Sequence, residues 1–119
     1  MVLAIVDDLM FASKIRTAAA QLGVPLTFAR SKDSALAAIH GSTPSLVILD
    51  LSNPRTDPLG TAIAIKGDAT TKAIRTVGYV SHVQTDVIEA ARQAGVDEVL
   101  ARSVFTARLG EILAAALAK

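Results

Sequence analysis

The chain has 119 residues, 51% of them hydrophobic but only 3% aromatic, with 12 basic and 11 acidic side chains and a formal charge of +1. That length fits one domain around a finely packed aliphatic core. The lack of cysteine excludes disulfides, thiol catalysis and thiolate zinc sites, and the balanced charge offers no basic field for nucleic acid. No apolar run approaches the roughly 18 residues that span a bilayer. The first residues enter a strand-like run without a basic leader, so no signal peptide is expected and the cytoplasm is the expected location.

In chain order, residues 2–6 read as a buried strand. Residues 10–22 follow as a helix, with Phe11, Ile15, Ala18 and Leu22 recurring at helical spacing. Residues 25–29 read as a second strand, and 32–40 as a helix with Ser31 at its N-cap. Residues 45–50 form a third apolar run, and 59–66 a third helix. Residues 76–80 make a fourth strand, and 86–94 a helix with Thr85 as its N-cap. Residues 98–101 complete the strands. Residues 106–118 make the last helix, with Leu109, Ile112, Leu113 and Leu117 on one face. Gly23, Gly41, Gly67 and Gly95 each follow a helical stretch, where a left-handed stop is expected.

Five strand–helix units predict an α/β fold, a doubly wound five-stranded parallel sheet of order 2-1-3-4-5. Ligands on such sheets bind outside the carboxyl ends of strands, where the strand order reverses. Strands 1 and 3 meet there, and they end in Asp7-Asp8 and Asp50. Three carboxylates brought together repel one another unless a cation or a proton intervenes. The pattern therefore points to a divalent-metal site around one acceptor aspartate.

Ile5-Val6-Asp7-Asp8, Val47-Ile48-Leu49-Asp50-Leu51, Pro54 and the run from Gln93 to Leu100 resemble the receiver domain of bacterial two-component response regulators. The resemblance covers the whole chain and implies a flavodoxin-like (βα)5 fold over residues 1–119, with no output domain. It implies that Asp50 is the phosphoacceptor. It implies a Mg2+ site in which Asp8 and Asp50 ligate directly, Asp7 acts through water and the Ser52 backbone carbonyl completes the protein's share, in keeping with the oxygen preference of Mg2+. A histidine kinase or phosphotransfer protein would be the donor and a downstream protein the target. Nucleic acid and membrane are not expected partners, and the role is signalling rather than enzymatic. Arg92, Asp97, Glu98 and Arg108 fall on the helix 4–strand 5–helix 5 side, where the resemblance suggests a homodimer contact.

Several positions depart from the family pattern. Counted without gaps, the switch hydroxyl position at the end of strand 4 holds Val80; a shift of one residue would make Ser81 the switch hydroxyl. Neighbouring strand residues face opposite sides of a sheet, so the two are not interchangeable. Arg102-Ser103 stands where Lys-Pro is usual, and arginine is longer, planar and forked. It either pairs with Asp50 or is solvated at the strand end. Val99 replaces an aromatic, and Asp57-Pro58 stands where Asp-Gly is common, stiffening the start of helix 3. His82 either contacts a phosphoryl group or is an ordinary loop residue, and His40 complements a helix dipole.

Two readings follow: a receiver phosphorylated on Asp50 with Mg2+, and a phosphorylation-independent pseudo-receiver that serves as an interaction module. A phosphatase of the haloacid-dehalogenase type would want a second Asp where Ser52 stands. No dinucleotide or P-loop motif is present.

Overall fold

Alternate residues of the central strands enter two separate cores, one on each face of a single sheet. The computed structural model describes residues 1–81 and 84–117. The strands are β1 (Val2–Ile5), β2 (Leu26–Ala29), β3 (Leu46–Asp50), β4 (Arg75–Val80) and β5 (Glu98–Ala101). All neighbours pair in parallel, in the order β2-β1-β3-β4-β5. The helices are α1 (Leu9–Leu22), α2 (Lys32–Ser42), α3 (Pro58–Lys66), α4 (Thr85–Gln93), α5 (Arg102–Ala107) and α6 (Leu109–Leu117), with a 3₁₀ turn at Pro54–Thr56. The fold class and strand order are those expected.

One core joins Val2, Ala4, Leu46, Ile48, Val77 and Tyr79 to residues of α1, α5 and α6. The other joins Leu3, Ile5, Val47, Leu49 and Val80 to α2, α3 and α4. Near-continuous apolar strands therefore bury both faces, as a covered parallel sheet requires. Three of the few aromatics gather in the first core. Tyr79 lies 4.7 Å from Phe11 and 4.9 Å from Phe105, centroid to centroid. In the second core Gly78 leaves room for Leu51, whose Cδ1 would stand 2.6 Å from a Cβ added there. Among the described residues no helix is long and apolar enough to cross a membrane.

Several element ends differ from expectation. Gly23 and Gly95 do take positive φ, but Gly67 is right-handed. Gly41 lies inside α2, which runs to Ser42 and is closed by Thr43 at φ 37. Pro44 explains this, because the residue before proline is barred from the right-handed helical region. Gln84, whose side chain makes no bond to the helix it caps, precedes α4, and Thr85 is its first residue. The last helix is two. α5 begins directly after β5, and the chain breaks at Arg108 before α6; Gly110 weakens helix propensity beside the break. At the start of α3, Asp57 takes φ 46 and accepts from the Gly60 N–H, and Pro58 holds the first helical position.

Candidate acidic site at the switch point

Asp50 closes β3 beside the end of β1. Its Cα pairs with that of Tyr79, and alternation puts both side chains on the α1–α5 face, with Ile48 and Val77. Asp50 is 8% exposed. One carboxylate oxygen accepts the Ser52 N–H at 3.0 Å, and the other accepts no hydrogen bond among the described residues. Burial pushes its pKa up; the Ser52 N–H and Arg102 pull against this, while the charges of Asp8 and Asp7 reinforce it.

Asp8 is the N-cap of α1. Its Oδ1 accepts from the N–H groups of Met10 at 2.9 Å and Phe11 at 3.2 Å. Its Oδ2 accepts from Arg102 at 3.0 Å. The Phe11 N–H, with help from Arg102 and Met10, outweighs burial and holds the Asp8 carboxyl below its usual range. Asp7 pairs with Arg55 at 3.1 Å.

Arg102 opens α5 rather than ending a strand, and neither expectation for it is met. It is neither paired with Asp50 nor simply solvated. Its guanidinium binds Asp8 and lies 4.5 Å from the centroid of the Phe11 ring, a cation–π position that a partly desolvated arginine favours.

Around Asp50 the loops are stitched together. Ser52 Oγ accepts the Ser81 N–H at 2.9 Å and donates to Gln84 at 3.4 Å. Val80 is buried with Val99 on the far face, so the last residue of β4 offers no hydroxyl to the site. Ser81 instead lines an open cleft of about 840 Å3 with Asp8, Met10, Phe11, Lys14 and Arg102. His82 lies outside the described residues.

Tyr79 escaped the reading of the sequence, although it is the only tyrosine in an aliphatic chain and sits one residue before a strand end. It is 1% exposed, and its buried hydroxyl has no hydrogen-bond partner among the described residues. Burial first, then the charge of Asp50, pushes its pKa up.

Among the described residues no group of three or more His, Cys, Asp or Glu is arranged to hold a metal ion. Asp7 and Asp8 each give an oxygen to an arginine instead. The donor set nevertheless suits Mg2+, which takes carboxylate and carbonyl oxygens and keeps several waters. Asp50 has an oxygen to spare, and a cation would compete with Arg102 for Asp8.

The charges expected on the helix 4–strand 5–helix 5 side are largely satisfied within the chain. Glu98 binds Arg75 at 3.1 Å and Arg108 at 2.9 Å, and Asp97 binds Lys66 at 2.9 Å. His40, in the last turn of α2, lies 3.9 Å from Asp68.

No family model matches the chain, and no curated protein matches it. Solved structures do. The receiver domain of NtrX from Brucella abortus is similar at a TM-score of 0.83 and 24% identity, over 100% of this chain and 99% of that one. The phosphorylated cyanobacterial phytochrome response regulator RcpA gives 0.79 at 22% identity, over 94% and 86%. The Mn2+-bound form of response regulator Rcp1 gives 0.78 at 18% identity, over 93% and 89%. The chain therefore has the fold of response-regulator receiver domains.

Proposed function

We propose that residues 1–119 form a receiver module that accepts a phosphoryl group on Asp50 from a histidine kinase or phosphotransfer protein and signals by protein–protein contact in the cytoplasm. The observation that carries this reading is Asp50 itself. It is a buried carboxylate at the switch point, with one oxygen fixed by the Ser52 N–H and the other unbonded among the described residues. A carboxylate nucleophile needs a fixed orientation and an available lone pair.

In the transfer an Asp50 oxygen attacks phosphorus. The P–N bond of a phosphohistidine breaks, and the imidazole leaves with the bonding pair. Asp8, Asp50 and the Ser52 carbonyl would hold Mg2+, with Asp7 acting through water; bound there, the ion would neutralise the phosphoryl oxygens. Arg102, held over Phe11, brings a second cation to the same edge.

The test is incubation with a small phosphodonor and Mg2+, read by intact mass. A gain of one phosphoryl group in the wild type, lost in Asp50→Asn, is expected. No gain in the wild type, or an undiminished gain in Asp50→Asn, overturns the reading.

The Arg102–Asp8 and Arg55–Asp7 pairs favour a second reading, in which the site is closed by its own cations and the fold serves as an interaction module. That version predicts partner binding unaffected by Asp50→Asn. A homodimer through α4, β5 and α6 would rest on surface outside the Glu98 and Asp97 ion pairs.

A further inference from the structure

We infer that the Tyr79 hydroxyl donates the hydrogen bond that recognises a phosphoryl group on Asp50, a task that no hydroxyl on the last residue of β4 can perform here. The inference rests on the phosphoacceptor reading above. Three observations carry it.

First, the hydroxyl is buried and without a hydrogen-bond partner among the described residues. Such a group costs free energy until it is paired, and phenylalanine would fill the same aromatic cluster without that cost. Second, Tyr79 and Asp50 are partners in register on adjacent strands and project from the same face. The charged groups that act on the hydroxyl are Asp50, Arg102 and Asp8. Third, the ring is held against Phe11 and Phe105, so the hydroxyl cannot turn outward to solvent. Burial keeps the phenol protonated and therefore a donor.

The Asp50 carboxylate is close enough to act on the hydroxyl directly, but the pair falls short of full hydrogen-bonding geometry. A phosphoryl group would add three acceptor oxygens on the same side chain, one P–O bond farther out. Val80 is apolar and faces the other core. The rival donor is Ser81, whose side chain lines the open cleft.

The experiment phosphorylates wild type, Tyr79→Phe and Ser81→Ala with a small phosphodonor and Mg2+, removes the donor, and follows loss of the phosphoryl mass. Decay about tenfold faster in Tyr79→Phe, with less than twofold change in Ser81→Ala, supports the inference, provided Tyr79→Phe melts at or above the wild-type temperature. A Tyr79→Phe decay within twofold of wild type overturns it, and so does a large effect confined to Ser81→Ala. If the wild type gains no phosphoryl mass, the phosphoacceptor reading fails, and this inference with it. If it gains mass and only the Tyr79→Phe effect is missing, this inference alone fails. A second measurement needs no variant: phosphorylation should shift the NMR signals of the Tyr79 ring and slow exchange of its hydroxyl proton. Unchanged Tyr79 signals overturn the inference.

Discussion

Asp50 and Asp97 are the same side chain at opposite ends of the sheet, and their surroundings have little else in common. One oxygen of Asp97, just before β5, accepts from Lys66 Nζ at 2.9 Å, the Thr76 N–H at 2.8 Å and Thr76 Oγ1 at 3.0 Å. Lys66 uses its remaining donors on the carbonyls of Lys72 and Ile74. Burial alone would raise the Asp97 pKa, but Lys66 and Thr76 outweigh it and hold the carboxyl below its usual range. Asp50 accepts one N–H and is pushed the other way by burial. Three hydrogen bonds gathered on one oxygen of a half-exposed side chain mark a carboxylate that fastens structure. Burial with an unbonded oxygen marks one kept for chemistry.

The largest expected effect tests the fastening end. Asp97→Ala leaves the Lys66 ammonium and the Thr76 N–H without their partner and should cost about 2 kcal/mol, held to that size because the carboxylate is partly exposed. Chemical denaturation measures it, and a loss below about 0.5 kcal/mol would erase the contrast with Asp50.

Next in size, and opposite in sign, Asp50→Asn should stabilise the metal-free protein at neutral pH by about 1 kcal/mol, or roughly 4 °C in Tm. The two aspartates also predict opposite pH slopes. Asp50 has a folded pKa above its unfolded value of about 3.9, so its share of stability is full below that pH and is lost as pH rises through the folded value. Asp97 has a lowered folded pKa, so its share is present above about 3.9 and is lost as pH falls through the folded value. Melting curves of wild type and Asp50→Asn should therefore coincide in acid and separate toward neutrality. Wild type and Asp97→Ala should also converge in acid, but toward neutrality the wild type should be the more stable of that pair.

A smaller effect concerns the arginine at the reactive end. Arg102→Ala frees Asp8 Oδ2, so the rise in Tm produced by Mg2+ should exceed that of wild type. An equal or smaller rise would mean that Arg102 does not compete with the cation. Smallest of all, His40→Ala should change stability by less than about 0.5 kcal/mol, because its 3.9 Å pair with Asp68 is exposed. That variant is the baseline against which the other three are judged.

The sheet and its switch point were legible because long apolar runs separated by amphipathic helices leave few topologies open. Asp7, Asp8 and Asp50 could be placed at one edge for the same reason. What they bond to could not. Asp8 spends one oxygen capping α1, a role that an aspartate just before a helix commonly fills, and the other on Arg102. That partner depends on α5 starting directly after β5, which no periodicity in so short a helix announces. Tyr79 was hidden because an aromatic in a strand reads as core. Its ring is core; only the folded arrangement of β3 and β4 strands its hydroxyl beside Asp50.

The same placement has a practical side. The chain has no tryptophan and a single tyrosine, so its near-ultraviolet emission and dichroism come mainly from one phenol, locked in a chiral aromatic cluster beside Asp50. Carboxylates and hydrogen bonds to the hydroxyl quench phenol emission. Events at Asp50 can thus be followed in unlabelled protein by light alone, with the molecule serving as its own optical reporter.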